Sequence, residues 1–108
     1  MPLVRACSKS EVSAGKLKEV QVNGQDLVLA NVDGSYFALH RWCTHEEGDL
    51  SQGALRNNVL TCPEHGAQFD VTTGKPLLGP DGESADSIQA EKPCKVVVRD
   101  DDLLVEIP

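Results

Sequence analysis

Basic side chains are scarce in this sequence: 10 Lys and Arg stand against 17 Asp and Glu, a formal net charge of -7. Nucleic acids and anionic membranes are bound through clustered Lys and Arg that displace counterions or meet lipid phosphates. Both are excluded as partners, and a basic protein surface fits better. Long apolar runs are missing too. No segment approaches the ~20 consecutive apolar residues of a membrane span. Met1-Pro2-Leu3-Val4-Arg5-Ala6 meets its first charge at once instead of opening an apolar signal core. A cytoplasmic protein is expected. Length is the third shortage: a chain of 108 residues buries ~65% of the surface its unfolded form exposes, enough for one modest core but not for a catalytic domain and a second module. Residues 1–108 are read as one domain without repeat or linker.

Helix signals are nearly absent. Ser8-Lys9-Ser10-Glu11 has the pattern of a capping box and predicts a single turn that ends before Gly15. Strand signals run through the rest. Lys16 to Val22 alternates at Val20 and Val22, Asn23-Gly24 supplies two residues that tolerate positive φ, and Leu27 to Val32 continues apolar, which predicts a hairpin. Asp33-Gly34 turns the chain into Tyr36-Phe37-Ala38-Leu39. Lys95 to Arg99 and Leu103 to Ile107, joined across Asp100-Asp101-Asp102, form a further pair rich in β-branched residues. Trp42 to Asn58 and Thr72 to Ser87 break this rhythm and read as long ordered loops.

The first of these loops carries Cys43-Thr44-His45. Sixteen residues separate it from Cys62-Pro63-Glu64-His65. Each stretch offers one thiolate and one imidazole, and two of the three histidines stand in register with two of the four cysteines. In a reducing compartment such a grouping points to metal more than to disulfides. Zinc accepts two thiolates and two imidazoles, but its fingers usually pair Cys with Cys and His with His, whereas here they alternate. A nucleophilic Cys-His pair would leave the second pair unexplained. Pro63, Gly48 and Gly66 suit tight turns around a centre.

These residues resemble a Rieske-type [2Fe-2S] protein, with C-x-H, a spacer and C-x-x-H. The likeness extends over Cys43 to Leu50 and Cys62 to Asp70, followed by Thr73-Gly74 and a proline-bearing loop, and is closest to the soluble ferredoxins associated with oxygenases. The resemblance implies one cluster per chain, with Cys43 and Cys62 on the inner iron and His45 and His65 on the outer iron near the surface, since in Rieske centres two histidines replace two cysteines on one iron. Two ferric ions, two sulfides and two thiolates sum to about zero charge against about -2 for four thiolates, so histidine ligation raises the potential. The imidazoles' outer nitrogens make that potential fall as pH rises. In the respiratory and photosynthetic branch each loop carries a further cysteine and the two are bridged; Gly48 and Glu64 occupy those positions here. That branch also places a serine and a tyrosine hydroxyl on cluster and ligand sulfur, where this chain has Ala67 and Phe69. With fewer donors, and with Glu46, Glu47, Asp49, Glu64 and Asp70 adding negative charge, the potential is expected near ~-150 mV, the low end of the Rieske range.

The fold implied is all-β: a small antiparallel sandwich or barrel with a cluster-binding subdomain, about residues 41–82, of two loops on a short three-stranded sheet. The function implied is that of a monomeric one-electron carrier, not itself an enzyme, between an NAD(P)H-dependent flavoprotein reductase and a terminal oxygenase. A small electron-transfer subunit of a nitrite reductase-like enzyme and a cluster-based redox sensor are the alternatives. An oxygenase is excluded, because after the cluster ligands only His40 remains for a facial triad. Cys7 and Cys94 read as small core residues, His40 as a surface or hydrogen-bonded histidine, and Trp42 as packed beneath its loop. The Pro76 to Pro80 loop, by its resemblance, shields the cluster.

Overall fold

A computed structural model describes residues 2–44 and 48–107. The expected ligand His45 lies outside the described residues, as do Glu46 and Glu47, two of the acids expected to add negative charge near the cluster. The strands, in chain order, are β1 (Leu3–Ser8), β2 (Leu17–Val22), β3 (Gln25–Val32), β4 (Ser35–His40), β5 (Ala54–Arg56), β6 (Val59–Thr61), β7 (Gln68–Asp70), β8 (Pro76–Leu78), β9 (Pro93–Cys94), β10 (Val96–Arg99) and β11 (Asp102–Glu106). The helical segments among the described residues are single 3-10 turns, and no helix is long and apolar enough to cross a membrane. The strands make three antiparallel sheets, ordered β1-β11-β10, β2-β3-β4-β9 and β5-β6-β7-β8.

Turn chemistry sets the register of the middle sheet. Asn23 and Gly24 have φ of 50° and 79°, and Asp33 and Gly34 have 52° and 89°. Positive φ at both central residues gives a two-residue hairpin whose twist matches that of its strands. Val22 therefore pairs with Gln25 and Val32 with Ser35. The run Leu27-Val28-Leu29-Ala30 is fully buried, which requires both faces of β3 to be covered. Val28 and Ala30 join one core with Leu39, Leu50, Leu60, Phe69 and Val71, while Leu27 and Leu29 join a second with Val12, Val22, Leu103 and Val105. The middle sheet is thus the shared wall of two cores. The Ser8 to Glu11 turn closes its capping box through the Glu11 carboxylate, which accepts from the Ser8 amide at 2.9 Å.

Both segments read as long loops contain more structure than that. Between Trp42 and Asn58 lie a 3-10 turn, Leu50–Gln52, and strand β5. Asn57, at φ 56°, begins the two-residue turn from β5 to β6. The second segment holds β8 and two further turns, Pro80–Gly82 and Ala85–Ser87. With β8 paired to β7, the small sheet under the candidate site has four strands instead of three. Strands of three residues carry too few alternations to show a period of two.

Candidate metal centre

The first ligand loop leaves the middle sheet at the end of β4. The Arg41 amide donates to the Asp26 carbonyl at 3.0 Å, and the Leu50 amide returns to the Arg41 carbonyl at 2.9 Å. Trp42 bridges Asp49, and the Cys43 amide donates to the Gly48 carbonyl at 2.9 Å. A forked ion pair reinforces this closure: Arg41 donates from Nε and Nη2 to the two Asp49 carboxylate oxygens at 2.9 and 2.7 Å. Asp49 also accepts from the Ser51 amide and hydroxyl. The Arg41 guanidinium is the largest influence on the Asp49 carboxyl and, with Ser51, holds its pKa down at about 2. Asp49 is therefore paired within a clamp, where the sequence suggests only added negative charge near the cluster.

The second loop is the tip of the β6-β7 hairpin. The Cys62 amide donates to the Ala67 carbonyl at 2.7 Å and the Gly66 amide to the Cys62 carbonyl at 3.2 Å, with Gly66 at φ 76°. This tight turn presents Cys62 inward and His65 outward: Cys62 is buried, whereas the His65 side chain is 39% exposed. The turn at Pro80–Gly82 lies against it. The Asp81 amide donates to the His65 carbonyl at 2.6 Å, and an Asp81 carboxylate oxygen stands 3.5 Å from His65 Nδ1.

The two loops meet at sulfur. Cys43 and Cys62 are both buried in the core shared with Leu60 and Phe69, and the thiols are within hydrogen-bonding reach of each other. Burial above all, and then the neighbouring Cys43, push the Cys62 thiol up, against the amides of Glu64 and His65 that donate to its sulfur. The raised Cys62 thiol holds its proton until a cation replaces it. Gly48 is bare for a reason: a Cβ there would lie 2.7 Å from Cys62 Sγ and 2.9 Å from Glu64 Cγ. The same Cβ would lie 3.5 Å from Glu64 Cβ, a separation that a disulfide spans, so the two positions bridged in the other branch face each other here without a bridge. Two adjoining buried sulfurs, amides aimed at one of them, a cradle without a side chain and an imidazole at the rim fit a thiolate- and imidazole-bound iron centre. Among the described residues no group of three His, Cys, Asp or Glu is arranged to hold one metal ion; Cys43 and Cys62 are brought together in one core.

Other residues depart from expectation or went unnoticed. Trp42 is not packed beneath its loop but 44% exposed. Its ring lies 4.9 Å from the Arg41 guanidinium carbon and its Nε1 donates to Asp26 at 3.2 Å. Cys7 is buried and Cys94 partly so, and burial raises both thiols. His40 sits in β4, where burial first and Lys92 second lower its pKa. Glu91 escaped sequence reasoning altogether. It is 3% exposed, its carboxyl accepts from the Thr44 amide at 2.7 Å, and burial pushes its pKa up to about 7. A glutamate between Ala90 and Lys92 carries no signal of burial.

Comparison with known proteins agrees with this geometry. A model of the Rieske [2Fe-2S] domain matches residues 3–90. The biphenyl dioxygenase ferredoxin subunit of Pseudomonas sp. strain KKS102 is 41% identical over 76 residues, 69% of this chain and 70% of that one. Among solved structures, a ferredoxin of Sphingomonas yanoikuyae B1 superposes with a TM-score of 0.88 at 27% identity, over 99% of this chain and 100% of that one. A chain in the complex of reduced oxygenase and oxidized ferredoxin in carbazole 1,9a-dioxygenase superposes with a TM-score of 0.83 at 28% identity, over 95% and 91%.

Proposed function

The chain belongs to the Rieske [2Fe-2S] family, and from that premise we propose that it is a one-electron carrier, passing electrons from an NAD(P)H-dependent flavoprotein reductase to a terminal oxygenase, with Cys43, Cys62, His45 and His65 as the cluster ligands. The observation that carries the reading is the pair of adjoining buried thiols at the tips of two loops, with His65 exposed on the turn that presents Cys62. When bound, the cluster takes up one electron and gives it back. The chain's own part is to hold the ligands still. Each loop is rooted in paired strands, Arg41–Asp49 closes the first, and the amides of Glu64 and His65 stabilise negative charge on the Cys62 sulfur. Holding ligand geometry constant between redox states keeps reorganisation small. His65 at the surface shortens the path to a partner.

Residues 1–108 act as one domain in this reading, with residues 41–82 as the cluster-bearing part. The carrier is a cytoplasmic monomer that binds neither nucleic acid nor membrane, and none of its four cysteines is in a disulfide, as suits a reducing compartment. Site-directed variants of protein from an iron-replete host test the ligand set. His65→Ala and Cys62→Ser are expected to lose the stoichiometry of two irons and two sulfides, while His40→Ala keeps it. Full iron and sulfide in either of the first two would overturn the assignment.

A further inference from the structure

We propose that Glu91 is a positioning residue for the metal centre: its buried carboxyl group holds the Thr44 amide and so fixes the peptide that joins Cys43 to Thr44. The proposal rests on the ligand assignment above. Glu91 is far from both ligand loops in sequence and is, with Asn31, one of two buried polar residues among those described. Enclosing a carboxyl group is unfavourable unless a partner compensates. The bond from the Thr44 amide at 2.7 Å is the partner seen among the described residues.

The approach is built from several directions. The Thr44 hydroxyl donates to the Gln89 carbonyl at 2.6 Å, so two consecutive groups of residue 44 are tied to one segment, 89–91. That segment is itself immobilised. The Glu91 amide donates to the Gly74 carbonyl at 2.8 Å, and the His40 amide donates to the Lys92 carbonyl at 3.0 Å. Gly74, at φ 82°, admits the segment only because it has no side chain: a Cβ there would stand 2.2 Å from the Glu91 carbonyl oxygen. With its backbone held on both sides, the Glu91 side chain extends to the Thr44 amide. Arg41 and Asp49 close the base of the loop, while Glu91 grips residue 44, next to the buried Cys43.

A role in positioning depends on an acceptor oxygen at one place, whereas a role of charge depends on ionisation, and two variants separate them. Glu91→Gln keeps side-chain length and an acceptor while removing the charge. Glu91→Asp keeps the charge and withdraws it by one carbon. Both are compared with wild-type holoprotein by the EPR g values of the reduced state and by the rate at which a strong iron chelator strips the cluster. Wild-type g values and release within about 2-fold are expected for E91Q, and shifted g values with release faster by roughly 10-fold or more for E91D, as for loss of a buried hydrogen bond that leaves its donor unpaired. Equal behaviour of all three proteins would overturn the proposal, as would disturbance in E91Q matching or exceeding that in E91D. Should E91D not fold, hydrogen exchange decides. Protection of the Thr44 amide in wild type and E91Q supports the proposal, and exchange at the rate of an open loop overturns it. A wild-type protein without a histidine-ligated EPR signal would instead refute the ligand assignment, so the two failures are distinct.

Discussion

Replacing Asp49 with Asn removes the charge from the fork that closes the first ligand loop. Its carboxyl lies at about 2 against an ordinary 3.8, and at 1.36 kcal/mol per unit this corresponds to roughly 2 kcal/mol of native-state stabilisation at neutral pH. Little discount for solvent is needed, because the Arg41 and Asp49 side chains are 25% and 20% exposed. An unfolding entropy of roughly 2.1 cal/mol/K per residue converts that loss to about 10 °C in Tm for this chain. The assay is thermal unfolding of holoprotein followed by far-UV circular dichroism and by bleaching of the visible absorbance. The pH dependence has a definite sign: the contribution is complete above the unfolded-chain value and is lost as pH falls from about 4 towards 2, so the wild-type advantage over D49N is constant from pH 8 to 5. Arg41→Gln and the double variant complete a cycle, in which the double variant loses less than the sum of the singles. A Tm decrease under about 2 °C for D49N, or strict additivity in the cycle, would refute the clamp.

Four further outcomes are expected. Gly48→Ala drives a methyl group into Cys62 Sγ and Glu64 Cγ and should lower both iron content and stability, the latter by roughly 1–3 kcal/mol; full iron content and unchanged Tm would contradict the cradle. Asn31→Ala strands the Val12 carbonyl and the Gly34 amide, which the buried amide side chain joins at 2.8 Å each, for a loss of about 2 kcal/mol by denaturant titration. Because Glu91 binds its proton more tightly folded (about 7) than at its ordinary 4.5, its contribution is complete below pH 4.5 and lost as pH rises through 7. The stability of E91Q relative to wild type should therefore rise by about 3 kcal/mol over that interval, and a flat difference would count against it. Ala67→Ser places a hydroxyl at a buried site whose carbonyl already accepts from the Cys62 amide and should raise the reduction potential in a redox titration; no rise would undermine the argument from missing donors.

Local chemistry accounts for what could be read in advance. Asn23-Gly24 and Asp33-Gly34 adopt the positive φ that such pairs favour, so the hairpins of the middle sheet were legible, as was the capping box at Ser8 and Glu11. The alternating Cys-His spacing singled out Cys43 and Cys62, which the fold brings together. Strands β5 to β8 were not legible because three-residue strands show no periodicity, although Asn57-Asn58 between Ala54-Leu55-Arg56 and Val59-Leu60-Thr61 was a usable turn signal. Arg41 with Asp49 and Thr44 with Glu91 were invisible for a different reason. Eight and 47 residues separate the partners, and only the assembled loops bring them into contact. Trp42 was misjudged because burial is the common fate of an aromatic residue, while here a guanidinium and a carboxylate hold it at the surface.

The central claim is that this chain stores one electron on a histidine-ligated two-iron centre. Stepwise reductive titration of the purified holoprotein, with iron and sulfide quantified and low-temperature EPR recorded at each step, tests it most directly. Two irons, two sulfides and one electron per chain are expected, with an EPR signal whose average g lies below that of an all-cysteine [2Fe-2S] centre. A colourless protein that holds one zinc and takes up no electron would contradict it.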